Sequence, residues 1–148
     1  MTENFVVAVH TQLTHWRGTQ PKLVVAIDGY PGVGKSTLLQ LLTTRFTDVV
    51  GIERDDFIHA RTDVQQRIAA LGKAGEVFFA DAIDGTHLAT LVDRFRRTTD
   101  RVSSLGYNDQ TGEVDLPLTY DFSRPILVVE GIFLFHPSQL NSLWDRRI

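Results

Sequence analysis

Residues Gly29-Tyr30-Pro31-Gly32-Val33-Gly34-Lys35-Ser36-Thr37 complete the spacing G-x-x-x-x-G-K-[ST]. Glycines so placed let the backbone bend until successive N–H groups converge on an anion, and the helix that follows adds the positive end of its dipole. The pattern predicts a phosphate-binding loop in which Gly29, Gly32, Val33, Gly34, Lys35, Ser36 and Thr37 surround the phosphates of a nucleoside triphosphate. Lys35 reaches the β and γ phosphates as a point charge, and the Ser36 hydroxyl ligates the bridging Mg²⁺. Such a loop alone serves motors, switches and kinases, so other residues must decide. Asp55 and Glu130, each at the end of an apolar run, favour phosphoryl transfer to a small hydroxylated acceptor. In that chemistry Lys35 and Asp55 are the catalytic pair: Asp55 accepts or orients the hydroxyl proton, and Glu130 organises Mg²⁺ with Ser36.

The elements that must hold these groups are readable. Leu23-Val24-Val25-Ala26-Ile27 is apolar on both faces, as a strand inside a parallel sheet should be. Leu38, Leu39, Leu41, Leu42 and Phe46 then recur at helical spacing. A second strand, Val49-Val50-Gly51-Ile52, runs into Glu53-Arg54-Asp55-Asp56, and a third, Ile126-Leu127-Val128-Val129, ends at Glu130. Carboxylates thus stand at the C-terminal strand ends, the edge where open α/β sheets bind ligands. Helical patterns cover about residues 2–16, 63–71 and 87–96, and a short helix is expected from about Pro137 to Trp144. The glycine-punctuated stretch 72–84 reads as a connection, and the polar, turn-rich stretch 103–118 as a loop or short hairpin.

Composition narrows the classes. The 148 residues, 43% of them hydrophobic, support a single domain, with an N-terminal helix and turn over about residues 1–20. A formal charge of −3 offers no general basic field for nucleic acid or an anionic membrane. No cysteine is present, so disulfides, thiolate catalysis and cysteine-ligated metals are excluded. No apolar run approaches the roughly 20 residues that span a bilayer, nor does the N-terminus resemble a signal peptide, so a cytoplasmic location is expected. The expected partners are ATP and a small acceptor, with no nucleic acid and no membrane; a second copy of the chain is a further candidate.

Beyond the loop, the chain from about Lys22 resembles the uridine kinase, nicotinamide riboside kinase and phosphoribulokinase branch of phosphate-loop kinases. Asp55-Asp56-Phe57 resembles that branch's Asp-x-Phe motif, whose first Asp is the catalytic acceptor, and Asp81-Ala82-Ile83-Asp84 its Asp-Ala-Phe-Asp. Residues Pro117 to Phe122 resemble the segment that helps hold the acceptor, and Val129 to Phe135 resemble the Glu-Gly strand end. The resemblance implies an α/β, three-layer P-loop NTPase fold with a mostly parallel central sheet. It also implies an ATP-dependent kinase of a nucleoside or similar small metabolite, with Asp56, Phe57 and Tyr120 as acceptor-binding candidates. The chain departs from uridine kinases at Val77-Phe78-Phe79-Ala80, where a sugar-binding Asp is missing, and after Phe122, where a His and an Arg are. The family pattern also continues past Ile148 with a core strand, an arginine-bearing lid and an adenine-packing segment, so a shortened form with little or no turnover is expected.

Blander readings stand beside these. Asp55 and Asp56 could form a solvated turn, Phe57 a core contact, and Tyr120 a buried phenol with a satisfied hydroxyl. Asp81 and Asp84 read first as helix caps, and the five histidines show no ligand spacing. Asp109-Gln110-Thr111-Gly112 matches a GTPase switch, but it follows no apolar strand, and Asn-Lys-x-Asp is missing from the chain. The remaining alternative is a non-catalytic or truncated nucleotide-binding module.

Overall fold

The computed structural model describes residues 1–71, 82–135 and 140–148. Asp81, the stretch 77–80, His136 and the expected helix start at Pro137 lie outside the described residues. Helix α1, Glu3–Arg17, starts at Thr2, whose hydroxyl accepts the Phe5 N–H at 3.3 Å, and leads to strand β1, Leu23–Asp28. Helix α2, Lys35–Arg45, follows the glycine loop, and strand β2, Val49–Glu53, runs into the 3-10 turn Arg54–Phe57. Helices α3, Arg61–Leu71, and α4, Gly85–Arg97, come next. Asp84 caps α4 by accepting the His87 N–H at 3.0 Å, as expected of a cap. Strands β3, Arg101–Asn108, and β4, Glu113–Asp121, precede β5, Ile126–Gly131, and the two-residue strand β6, Arg146–Arg147.

Strands β2, β5, β1 and β6 lie side by side in that order, all parallel. Because successive strand residues face opposite sides, the sheet feeds two apolar cores. Leu23, Val25, Ile27, Ile126 and Val128 meet Val6 and Leu13 of α1 and Leu38, Leu39 and Leu42 of α2. Val24, Ala26, Ile52, Leu127 and Val129 meet Leu88, Leu91, Val92 and Phe95 of α4. Helices thus cover both faces, giving the three layers that continuous apolar strands require.

Three differences from the sequence reading concern elements that are not apolar runs. The stretch read as a loop or short hairpin is a full antiparallel hairpin, β3 with β4, forming its own two-stranded sheet. In its two strands only Val102, Gly106 and Tyr120 are buried, the pattern of strands with one wet face. The helix expected up to Trp144 is, among the described residues, the 3-10 turn Asn141–Leu143. The Trp144 indole N–H donates to Leu134 O at 2.9 Å and Asp145 accepts the Val24 N–H at 2.8 Å, drawing the chain out to the sheet. A two-residue strand that the sequence reading did not contain, the exposed Arg146–Arg147, pairs with Val25 and Ala26 of β1.

Candidate active site

The glycine loop leaves β1 with Gly32 at φ +80° and Gly34 at φ +99°, conformations that favour glycine. Asp28, the last residue of β1, holds the loop's base: Oδ1 accepts the Gly29 N–H at 2.7 Å and Oδ2 the Phe135 N–H at 3.0 Å. Lys35 Nζ donates to Gly29 O at 2.7 Å and Tyr30 O at 2.8 Å, so the ammonium lies over the loop it serves. Pairing of β1 with β5 sets Ile27 against Glu130, and pairing of β2 with β5 sets Glu53 against the same residue. Register alone therefore brings the acidic strand ends beside the loop.

Ser36 Oγ donates to Glu130 Oε1 at 3.1 Å, joining the two residues expected at magnesium. Glu130 is 5% exposed. Burial pushes its pKa up, the Ser36 hydrogen bond opposes that, and Glu53 and Asp55 add to the rise. Two hard oxygen donors in contact, one a buried carboxylate, fit Mg²⁺, which keeps several waters and takes its other ligands from phosphates. No cluster of three or more His, Cys, Asp or Glu that could hold a metal occurs among the described residues.

After β2 the 3-10 turn sends residues three apart inward and those between them outward or part-way. Arg54 and Phe57 turn inward, whereas the Asp55 side chain is 76% exposed. Phe57 sits in the core, edge-on to the His87 ring at 4.9 Å, and its carbonyl accepts the Asp84 N–H at 2.7 Å. The Phe57 ring thus braces the turn. Asp56 is half-buried with its pKa raised to about 6, by burial first and then by Glu53, Asp55 and Glu130. Tyr120 is 6% exposed, and its hydroxyl has no hydrogen-bond partner among the described residues. Burial and the charges of Asp56 and Glu53 push that hydroxyl's pKa well up.

These residues border two adjoining cavities. One, of about 340 Å³, is lined by Gly32, Lys35, Ser36, Arg54, Asp55, Glu130 and Gly131 among others. The second, of about 790 Å³, lies between α2, β2 and the hairpin, lined by Ser36, Glu53, Asp56, Tyr120, Arg101 and Arg124 among others. Ser36 belongs to both, and the neighbours Asp55 and Asp56 serve one cavity each. Gly29 and Thr37 flank the loop, Thr37 on the second cavity's wall; Val33 is exposed at its tip. Sequence reasoning missed Asp28 and Arg54. An acidic residue immediately before the first loop glycine was a usable signal for Asp28, whereas an arginine inside an acidic run reads as surface.

Comparison with known proteins gives a consistent result. Residues 24–148 match the model of the Phosphoribulokinase / Uridine kinase family. A nicotinamide riboside kinase from Eremothecium gossypii is 26% identical over 93% of this chain and 62% of its own length. The chain thus spans less than two thirds of that relative. Among solved structures, one described as a possible uridine kinase from Bacillus stearothermophilus superposes with a TM-score of 0.76 at 19% identity, over 99% of this chain and 80% of that one. D-glycerate 3-kinase from Cryptococcus neoformans superposes with a TM-score of 0.63 at 17% identity, over 89% of this chain and 52% of that one. At these identities the superpositions establish the fold.

Proposed function

The chain belongs to the phosphoribulokinase/uridine kinase family, and from that premise we propose that it transfers the terminal phosphoryl group of ATP to a hydroxyl of a nucleoside or similar small metabolite. The observation that carries the reading is the shared cavity: Lys35 and Ser36 of the glycine loop line, with Asp55, one cavity of about 340 Å³. The loop N–H groups and Lys35 bind the β and γ phosphates. Ser36 and Glu130 would hold Mg²⁺, which when bound neutralises charge on those phosphate oxygens. Asp55, exposed towards the cavity, takes the acceptor's hydroxyl proton. The acceptor oxygen then bonds to the γ phosphorus as the bond from that phosphorus to the bridging oxygen breaks, and ADP leaves. Asp56 and Tyr120 hold the acceptor in the second cavity, with Phe57 bracing the turn from the core.

The test is ATP consumption with Mg²⁺ across ribosides, nucleosides and small hydroxylated acids, for the chain and its Asp55→Ala variant. Ribosides come first because of the relative at 26% identity. Acceptor-dependent turnover, however slow, that falls by about 10²–10⁴-fold in Asp55→Ala is the expected result. ATP binding with no acceptor-dependent turnover would support a nucleotide-binding module instead.

A further inference from the structure

Arg54 has no part in the scheme above, yet it lines the same cavity as Lys35, Asp55 and Glu130. The residue is 4% exposed, a rare depth for an arginine. Burial lowers its pKa while Asp55 and Asp28 oppose the shift, and an arginine in such company keeps its charge. The Arg54 guanidinium lies 3.7 Å from Asp55 Oδ1, beside the proposed proton acceptor.

The sheet makes room for it. A Cβ built on Gly131, at the end of β5, would come within 2.5 Å of Arg54 Cβ and 2.8 Å of Cδ. Gly131 follows Glu130 directly and pairs with Asp28 of β1. The arginine stem therefore passes over the strand end at the one residue without a side chain, and its charge is delivered to the floor of the phosphate cavity. Lys35 enters that cavity from the loop side, Arg54 from the turn after β2. Two cationic residues thus line the one cavity beside the glycine loop.

We propose that Arg54 is a phosphoryl-contacting residue: its guanidinium, admitted by Gly131, bonds to the terminal phosphate of ATP opposite Lys35 and stays with it through transfer. The inference rests on the kinase reading, but its first readout needs no turnover. A contact to the terminal phosphate favours ATP over ADP, because ADP lacks that group.

Titration calorimetry with Mg·ATP and Mg·ADP would compare the chain with Arg54→Met, Arg54→Lys and Gly131→Ala. Arg54→Met should weaken ATP by about 10- to 100-fold, the worth of a charge-assisted hydrogen bond, and ADP by less than about 2-fold. Arg54→Lys should recover part of the ATP preference. Gly131→Ala, which displaces the stem but keeps the charge, should lose it. With a turned-over acceptor in hand, kcat should fall by about 10³-fold in Arg54→Met, with the acceptor's KM little changed. Equal loss of ATP and ADP affinity, or unchanged affinity for both, would overturn the assignment and leave Arg54 a structural ion. If Arg54→Met does not fold, the ATP to ADP ratio in Arg54→Lys and Gly131→Ala decides by the same criteria. Loss of ATP preference in chains that phosphorylate nothing would uphold Arg54 and sink the kinase reading, so the two fail separately.

Discussion

Adjacent residues in one turn have different electrostatic positions, and the difference is testable. Asp55 is exposed, whereas Asp56 is half-buried among Glu53, Asp55 and Glu130, with its pKa raised from 3.8 to about 6. Below pH 6 the folded chain holds a proton on Asp56 that the unfolded chain releases near pH 4. Between those values the native state binds more protons, so this residue's contribution to stability falls as pH rises through the window. Asp56→Asn removes the penalty. In the nucleotide-free chain, thermal melting should show Asp56→Asn gaining on the parent between pH 4 and pH 7, and a constant gap would sink the assignment. The same residue should accept a hydroxyl hydrogen from an acceptor only above about pH 6. Tyr120, whose phenol faces that carboxylate's field, keeps its proton throughout and can donate.

At the scale of elements, the hairpin is set against the turn by close contact. A Cβ on Gly106 of β3 would lie 2.4 Å from Leu118 Cδ1 of β4 and 3.1 Å from the Asp56 carbonyl oxygen. The leucine can rotate, but the backbone oxygen cannot. Gly106→Ala should therefore cost about 1–3 kcal/mol, the range for overpacking, and raise the acceptor's KM more than that for ATP. Urea unfolding with steady-state kinetics checks both, and an equal rise in the two KM values would mean that the hairpin does not border the acceptor. This element was also the least legible. Strands β1 and β5, buried on both faces, announce themselves as Leu23 to Ile27 and Ile126 to Val129, and the loop between strand and helix follows from its glycines. The hairpin buries few residues and leaves its polar side chains in water, so its strands look like a loop. Arg96 lies among the basic residues of the last turn of α4, yet it pairs with Asp145 at 3.0 Å, a partner 49 residues away that no local pattern indicates. Arg54 was hidden for the same reason: its meaning depends on Gly131, which only the register of β5 brings beneath it. Chemistry marked by a motif or a strand end could be read, even across the 94 residues from Ser36 to Glu130; long-range contacts that no local pattern marks could not.

Taken as a whole, the molecule carries a formal charge of −3 and gathers Glu53, Asp55, Asp56 and Glu130 at the sheet edge where the proposed polyphosphate binds. Lys35, Arg54 and the loop N–H groups oppose that acidic field only locally. A nucleotide with no divalent cation would bring its own negative charge against Glu130, a carboxylate already pushed towards its neutral form by burial. Binding should therefore be strongly magnesium-dependent. At a hundredfold excess of Mg·ATP over its Kd, linkage adds about 2.7 kcal/mol of stability, which for a chain of this length raises the melting temperature by about 5–10 °C. Chelating the metal with EDTA should remove more than half of that rise, and Lys35→Met should remove nearly all of it with or without metal. Glu130→Gln separates the contributions: it relieves the buried charge, so it should bind metal-free ATP better than the parent does and gain little from added Mg²⁺. If the parent's melting temperature rises equally with and without EDTA, nucleotide binding needs no divalent metal and the contact between Ser36 and Glu130 is a structural hydrogen bond.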